Sequence, residues 1–279
     1  MDYKVELLVF ITLLIGSFAL PTPEDDLSRF FDHTDDANAR IIGGTEVAAG
    51  GHPHMAALFA GIHGKIFICG GSLVTKRTVL TAAICVNIIY SNSIIPSARV
   101  AVGSNRWDRG TEYTLLRNVS HPDFEIYKRK NDISVLITST DVVLSSLVQP
   151  VALTYDFVGG GVPAIVAGWG STTLNWPNPP SDILMELSTT TIGRKECVAR
   201  VLKGAFNWEN GQYNDPRIEV CTLHSKSGIC YDDVGGALLR ADNGQQFGIV
   251  SWGFSCAFGY PDVYVRISAY ESWLKSVIV

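Results

Sequence analysis

The chain has 279 residues, 47% of them hydrophobic and 18% charged, with a formal net charge of −5 at pH 7. That length supports one or two domains with sizeable cores. The acidic balance argues against electrostatic capture of nucleic acid or of an anionic membrane surface.

Taken in chain order, the first feature is an apolar run over residues 7–15 that ends in Gly16-Ser17-Phe18-Ala19. It is too short to span a bilayer, and small residues at 17 and 19 suit signal-peptidase cleavage. Residues 1–19 are therefore predicted to be a signal peptide and the protein to be secreted. Residues 20–40 carry Glu24, Asp25, Asp26, Asp32, Asp35 and Asp36 against Arg29 and Arg40, which predicts a flexible acidic pro-segment. From Ile41 onward acids and bases cancel, and no second long apolar run follows, so no membrane span is expected.

Residues 41–279 alternate short runs rich in Val, Ile and Thr with Gly, Asn, Asp and Pro, as in Ser97-Ala98-Arg99-Val100-Ala101-Val102-Gly103. This pattern predicts an all-β barrel or sandwich. Asn118-Val119-Ser120 is a glycosylation sequon. Residues 268–278 predict a short amphipathic helix, with Trp273, Leu274 and Val277 facing inward and a capping box from Ser268 to Glu271. Six cysteines in a secreted chain predict three disulfides and leave fifteen connectivities open. No Cys-x-x-Cys or paired-histidine spacing suggests a metal, and no cofactor motif is present.

The motifs that carry chemistry are four. Arg40-Ile41-Ile42-Gly43-Gly44 opens the β-rich region, and Leu80-Thr81-Ala82-Ala83-Ile84-Cys85 and Asn131-Asp132-Ile133 follow it. The fourth is Cys230-Tyr231-Asp232-Asp233-Val234-Gly235-Gly236. Together with Ala167-Gly168-Trp169-Gly170 and Ser251-Trp252-Gly253, they resemble the chymotrypsin-like serine proteases continuously from Ile41 to the end. The arthropod digestive and extracellular members are the most similar. The family patterns are Arg-Ile-Val-Gly-Gly, Leu-Thr-Ala-Ala-His-Cys and Gly-Asp-Ser-Gly-Gly-Pro.

The resemblance implies two six-stranded antiparallel barrels that join near residues 149–151, a cleft between them and a short C-terminal helix. It implies the pairs Cys69–Cys85, Cys197–Cys221 and Cys230–Cys256. It also places Ile84 where the family has its catalytic histidine and Val234 where it has the nucleophilic serine, so that Asp132 alone remains of the triad. A hydroxyl must be activated by an imidazole that a carboxylate orients, and neither an isopropyl nor a sec-butyl group can attack or carry a proton. Losing either group costs roughly a million-fold in turnover. Asp232 replaces a glycine whose amide helps bind the developing oxyanion, where a carboxylate at ~4 Å would oppose that charge by about 4 kcal/mol.

Other residues of the family layout persist. Cleavage after Arg40 would free an Ile41 ammonium to pair with Asp233. Gly228 would form the base of the substrate pocket, and Ser251, Trp252 and Gly253 would line the channel where an extended peptide adds as a strand. Asp262 is read evenly as projecting into that pocket or as a solvated turn carboxylate. Burial beside Ile84 and Val234 should raise the Asp132 pKa unless Ser251 and backbone amides compensate. The five histidines beyond residue 41 (His52, His54, His63, His121 and His224) are not expected in the cleft. Ser227 and Ser251 are near it but not on the nucleophile turn. Two segments, 176–180 with its prolines and 206–213 with its aromatics and amides, read as binding loops or self-packed loops.

The sequence therefore predicts a secreted, monomeric, catalytically inactive homologue that binds extracellular proteins: proteases, their inhibitors or peptide ligands. The competing reading is a serine endopeptidase with unorthodox activity.

Overall fold

A computed structural model describes residues 43–61, 64–91, 97–171, 179–205, 213–224, 227–230, 232–254, 256 and 259–279. The predicted signal peptide, the pro-segment and the Arg40–Ile41 site lie outside the described residues.

The two-residue β1 (Thr45–Glu46) precedes a first set of strands: β2 (Met55–Ala60), β3 (Ile66–Leu73), β4 (Thr78–Thr81), β5 (Arg99–Val102), β6 (Thr111–Ser120) and β7 (Ser134–Thr138). They close as an antiparallel barrel in the order β2-β3-β4-β7-β6-β5. All six residues of β2 and all five of β7 are buried, which is why both segments read as continuous apolar runs. Helix α1 (Ala83–Ser91) leaves the end of β4 and carries Ile84 in its first turn.

The second set is β8 (Pro163–Gly168), β9 (Met185–Ile192), β10 (Glu219–Thr222), β11 (Ala237–Arg240), β12 (Gln246–Gly253) and β13 (Asp262–Arg266), with helix α2 (Arg194–Ala205) between β9 and β10. Its sheet runs β9-β10-β13-β12-β11-β8 and closes through β8–β9, with β1 added on the outside of β9. Among the described residues every strand-to-strand pairing is antiparallel, an isolated parallel bridge from Leu153 to Gln246 aside, and the fold is all-β with two six-stranded barrels. In β9 the buried positions alternate with exposed or half-exposed ones, the pattern of a strand that faces a core on one side. Residues 149–151 fall in the segment between β7 and β8.

The disulfides are Cys69–Cys85, Cys197–Cys221 and Cys230–Cys256, the pairing that the resemblance implies, and they use all six cysteines. The C-terminal helix differs in detail from the sequence reading. A 3₁₀ turn covers Ile267–Tyr270, and α3 (Glu271–Val277) begins only after it, with no side-chain cap. The Ser268–Glu271 box therefore does not form, because Ser268 lies within the tighter turn instead of at its boundary. Leu274 is the buried anchor of α3, while Trp273 and Val277 pack only partly against the first barrel. No helix among the described residues is long and apolar enough to cross a membrane.

Candidate functional site

The first barrel supplies one wall through the junction of β4 and α1. There the Ile84 amide donates to Asp132 Oδ1 at 2.8 Å. Asp132 is fully buried, and its other oxygen accepts the Ser251 hydroxyl at 2.6 Å. Ser251 reaches it because of a β-bulge: Val250 faces Tyr264 and Trp252 faces Val263, leaving Ser251 as the extra residue of β12. Asn131 holds the approach, accepting from the Tyr270 hydroxyl and donating to the Asp123 carbonyl. Burial raises the Asp132 pKa, with the Ser251 and Ile84 hydrogen bonds and the Arg129 charge opposing it. These donors reduce the desolvation effect that the sequence anticipates without overcoming it.

Ile84 and Val234 pack into hydrocarbon. Ile84 is buried in the first-barrel core, and the partly buried Val234 packs against the same cluster. The Val234 carbonyl accepts the Gly70 amide at 2.9 Å, and the Gly235 amide donates to Val250 at 2.9 Å. The turn that exposes a nucleophile in the family is thus pinned by its own backbone. Asp232 adopts a φ of +73°, a left-handed conformation that suits glycine and is tolerated by Asp better than by most residues. Burial also raises its pKa.

Asp233 is buried beneath the Gly168-Trp169-Gly170 segment. Its Oδ1 accepts the Gly170 amide at 2.8 Å and its Oδ2 the Cys230 amide at 2.9 Å. A Cβ on Gly168 or on Gly170 would collide with this carboxylate, which explains both glycines. Burial pushes the Asp233 pKa up to about 7, and the neighbouring Asp232 adds to the shift.

The pocket-like region comprises the buried Gly228, Ile229 and the two strands β12 and β13. Asp262 faces Gly253 in the strand register. One of its oxygens accepts the Ile229 amide at 3.1 Å, and the other lies 3.4 Å from where a Gly253 Cβ would stand. Asp262 therefore points between these walls and is not a solvated turn carboxylate. Burial raises its pKa to about 8, with Asp233 contributing.

Trp252 follows Ser251 on β12. Its backbone lies beside Gly253, but its indole is only 6% exposed, packs edge-on against Phe254 and donates to Glu219 Oε1 at 3.0 Å. The cause is a buried ion pair that sequence reasoning missed: Lys130 Nζ meets the same Glu219 oxygen at 2.8 Å. The run Tyr127-Lys128-Arg129-Lys130 reads as a solvated loop, and nothing in its spacing marks its last lysine as buried.

Ser227 does meet an imidazole, through a hydrogen bond with His224. That hydroxyl is buried, however, and Gly43 packs directly on the Ser227 Cβ. His63, residues 176–178 and residues 206–212 lie outside the described residues. Asn118 sits on β6, away from this constellation, with its amide donating to the Tyr90 hydroxyl. Among the described residues no group of three His, Cys, Asp or Glu side chains could hold a metal ion.

The arrangement thus brings Ile84, Asp132, Val234 and Ser251 together beside the Asp232–Asp233 turn, with Asp262 behind Gly253. Comparison with known proteins identifies the family. The trypsin family model matches residues 41–274. A trypsin from Xenopus laevis is 30% identical over 242 residues, covering 86% of this chain and 91% of its own length. Trypsin I-P1 from Gallus gallus is 30% identical over 253 residues, covering 89% and 93%. Trypsin alpha-4 from Lucilia cuprina is 29% identical over 242 residues, covering 86% and 88%. The vertebrate and Lucilia proteins match almost equally, so these identities do not single out an arthropod group. The chain belongs to the trypsin family of serine proteases.

Proposed function

We propose that this protein is a secreted trypsin-family member that has lost catalysis and acts by binding. One observation carries the reading. The carboxylate that would orient a catalytic base is bonded to the backbone of Ile84 and to Ser251, while Ile84 and Val234 fill the base and nucleophile positions with hydrocarbon. Neither hydrocarbon can move a proton or attack a carbonyl, and the hydroxyl beside them, that of Ser251, is held by Asp132 at a β-bulge with no imidazole between them.

What remains is a binding cleft. Among the described residues, Ser251-Trp252-Gly253 pairs with β13 on one side, and β11 stops short of it on the other. An extended segment of an inhibitor, a protease or a peptide can add along that edge. A basic side chain entering beside Gly253 would meet Asp262. The acidic leader with its Arg40–Ile41 junction supports processing as in a zymogen, and the half-exposed Asn118 supports a carbohydrate at the sequon.

The direct test uses protein cleaved after Arg40, with trypsin, chymotrypsin and elastase substrates and a fluorophosphonate probe. Neither turnover above a buffer blank nor labelling is expected. The endopeptidase reading draws on the contact between Ser227 and His224. Labelling that vanishes in Ser227→Ala or Ser251→Ala would establish it and overturn the non-catalytic reading.

A further inference from the structure

The buried pair beside Trp252 has a specific geometry. Lys130 and Glu219 are each only 3% exposed. The ammonium donates to Glu219 Oε1 at 2.8 Å and to the Tyr213 carbonyl at 2.6 Å. It lies 4.8 Å from the Tyr213 ring centroid and 5.1 Å from that of Trp252. The carboxylate is saturated in turn, since Oε1 also takes the Trp252 indole N–H and Oε2 takes the Asn214 amide and the Asp215 backbone N–H. Two aromatic faces, a carboxylate and a carbonyl around one ammonium form a cation cage. Here the cation belongs to the chain itself.

Its location follows from contacts already given. Asp132 and Ser251 are hydrogen-bonded, Lys130 is two residues before the first, and Trp252 is the residue after the second. Among the described residues, the cage therefore adjoins the end of β12 that β11 does not cover. A peptide added there would run past Trp252 immediately after passing the Gly253–Asp262 pocket.

We propose that Lys130 is a resident ligand of the outer cleft: it fills the Tyr213–Trp252–Glu219 cage, so that a bound segment is selected at the Asp262 pocket and not by side chains packed on Trp252. The consequence for recognition rests on the binding role proposed above; the cage itself does not. A ligand would be held by backbone pairing and one anchored side chain, and the residues upstream of that anchor would be read weakly. This suits capture of many segments that share one basic residue.

The cage is tested by chemical rescue. Lys130→Ala deletes the atoms of n-propylammonium and leaves Glu219 buried without its partner, so its Tm should fall by roughly 10 °C. Added n-propylammonium chloride should restore about 2–4 °C once it exceeds its Kd several-fold, relative to equal sodium chloride. Wild type and Lys130→Ala/Glu219→Gln should not respond. Lys130→Met, which keeps the side-chain volume, serves if the alanine variant does not fold: its Tm deficit should disappear when Glu219→Gln is added. An equal response of wild type and variant to the amine, or a Lys130→Met deficit that Glu219→Gln leaves unchanged, would overturn the cage.

Selection is tested with peptides ending in arginine amide and varied at the preceding positions. Wild-type Kd should change less than about twofold between alanine and phenylalanine there, whereas Lys130→Ala should favour phenylalanine by roughly tenfold, the worth of about half a buried aromatic side chain. Strong discrimination by wild type would overturn the selection rule with the cage intact. Failure of every peptide to bind either protein would overturn the cleft-binding reading, and the selection rule with it, while the amine rescue still decides the cage.

Discussion

Asp262 offers the sharpest quantitative test of the pocket. Its folded pKa, about 8, lies far above the ordinary value of 3.8 because burial disfavours the charged form. Below pH 3.8 the group is protonated in both folded and unfolded chains and contributes nothing. Between pH 4 and pH 8 the unfolded chain releases the proton and the folded chain keeps it. Stability must then fall as pH rises, by about 1.4 kcal/mol per unit, and level off above pH 8. At pH 7 the accumulated cost is about 4 kcal/mol, a large share of the 5–15 kcal/mol that typically holds a domain folded.

Asp262→Asn removes this proton linkage while keeping an oxygen to accept the Ile229 amide. Urea denaturation of both proteins from pH 4 to pH 9 reads the effect. The two should be of similar stability at pH 4, and the variant should be the more stable by several kcal/mol at pH 8. An amidinium ligand such as benzamidine should stabilise only the wild type, by supplying the missing counter-charge, and should do so more strongly above pH 8 than at pH 6. Parallel pH curves for the two proteins, or a variant weaker at pH 8, would refute the placement of a buried, unpaired carboxyl in the pocket.

Three other outcomes follow from the same physics. Asp132→Asn should be neutral or stabilising near pH 7, since burial raises the Asp132 pKa, and a loss of several kcal/mol in urea titration would show that the Ile84 and Ser251 bonds dominate. Gly235→Ala should cost about 2–4 kcal/mol, because φ is +87° and a Cβ would strike the Gly70 carbonyl and the Thr81 hydroxyl; an unchanged denaturation midpoint would contradict that packing. Cleavage after Arg40 should slow hydrogen exchange in the 230–234 turn, as the new ammonium replaces a proton on Asp233 near pH 7, and Asp233→Asn should abolish the change; equal exchange before and after would make the cleavage site a relic.

How much of this was legible in the sequence depends on the kind of contact involved. Strand content could be read because it rests on residue types at short offsets within one segment. Spacing left the cysteine pairs open, and only the family resemblance implied them. The approach of Gly168 and Gly170 to Asp233, more than sixty residues away, was not read at all. The expectation that Ile84 and Val234 stand at the base and nucleophile positions rests on local motifs: each sits inside one whose other members match the family pattern. The Ser251 bulge and the direction of Asp262 depend on strand register, which spacing alone does not fix. The helix cap failed because a 3₁₀ turn moves the helix start by a few residues at little energetic cost.

The Lys130–Glu219 pair lay beyond reach for a deeper reason. Its partners are 89 residues apart, and a lysine that closes the basic run Lys128-Arg129-Lys130 is ordinarily solvated. Only assembly of both barrels places Tyr213, Trp252 and Glu219 around it. Buried ion pairs give little net stability compared with apolar side chains of the same volume, so the Lys130–Glu219 pair calls for another cause. Control over what can lie on Trp252 is such a cause. On the binding role proposed above, the cleft need only choose what it holds, and Lys130 would leave that choice to Asp262.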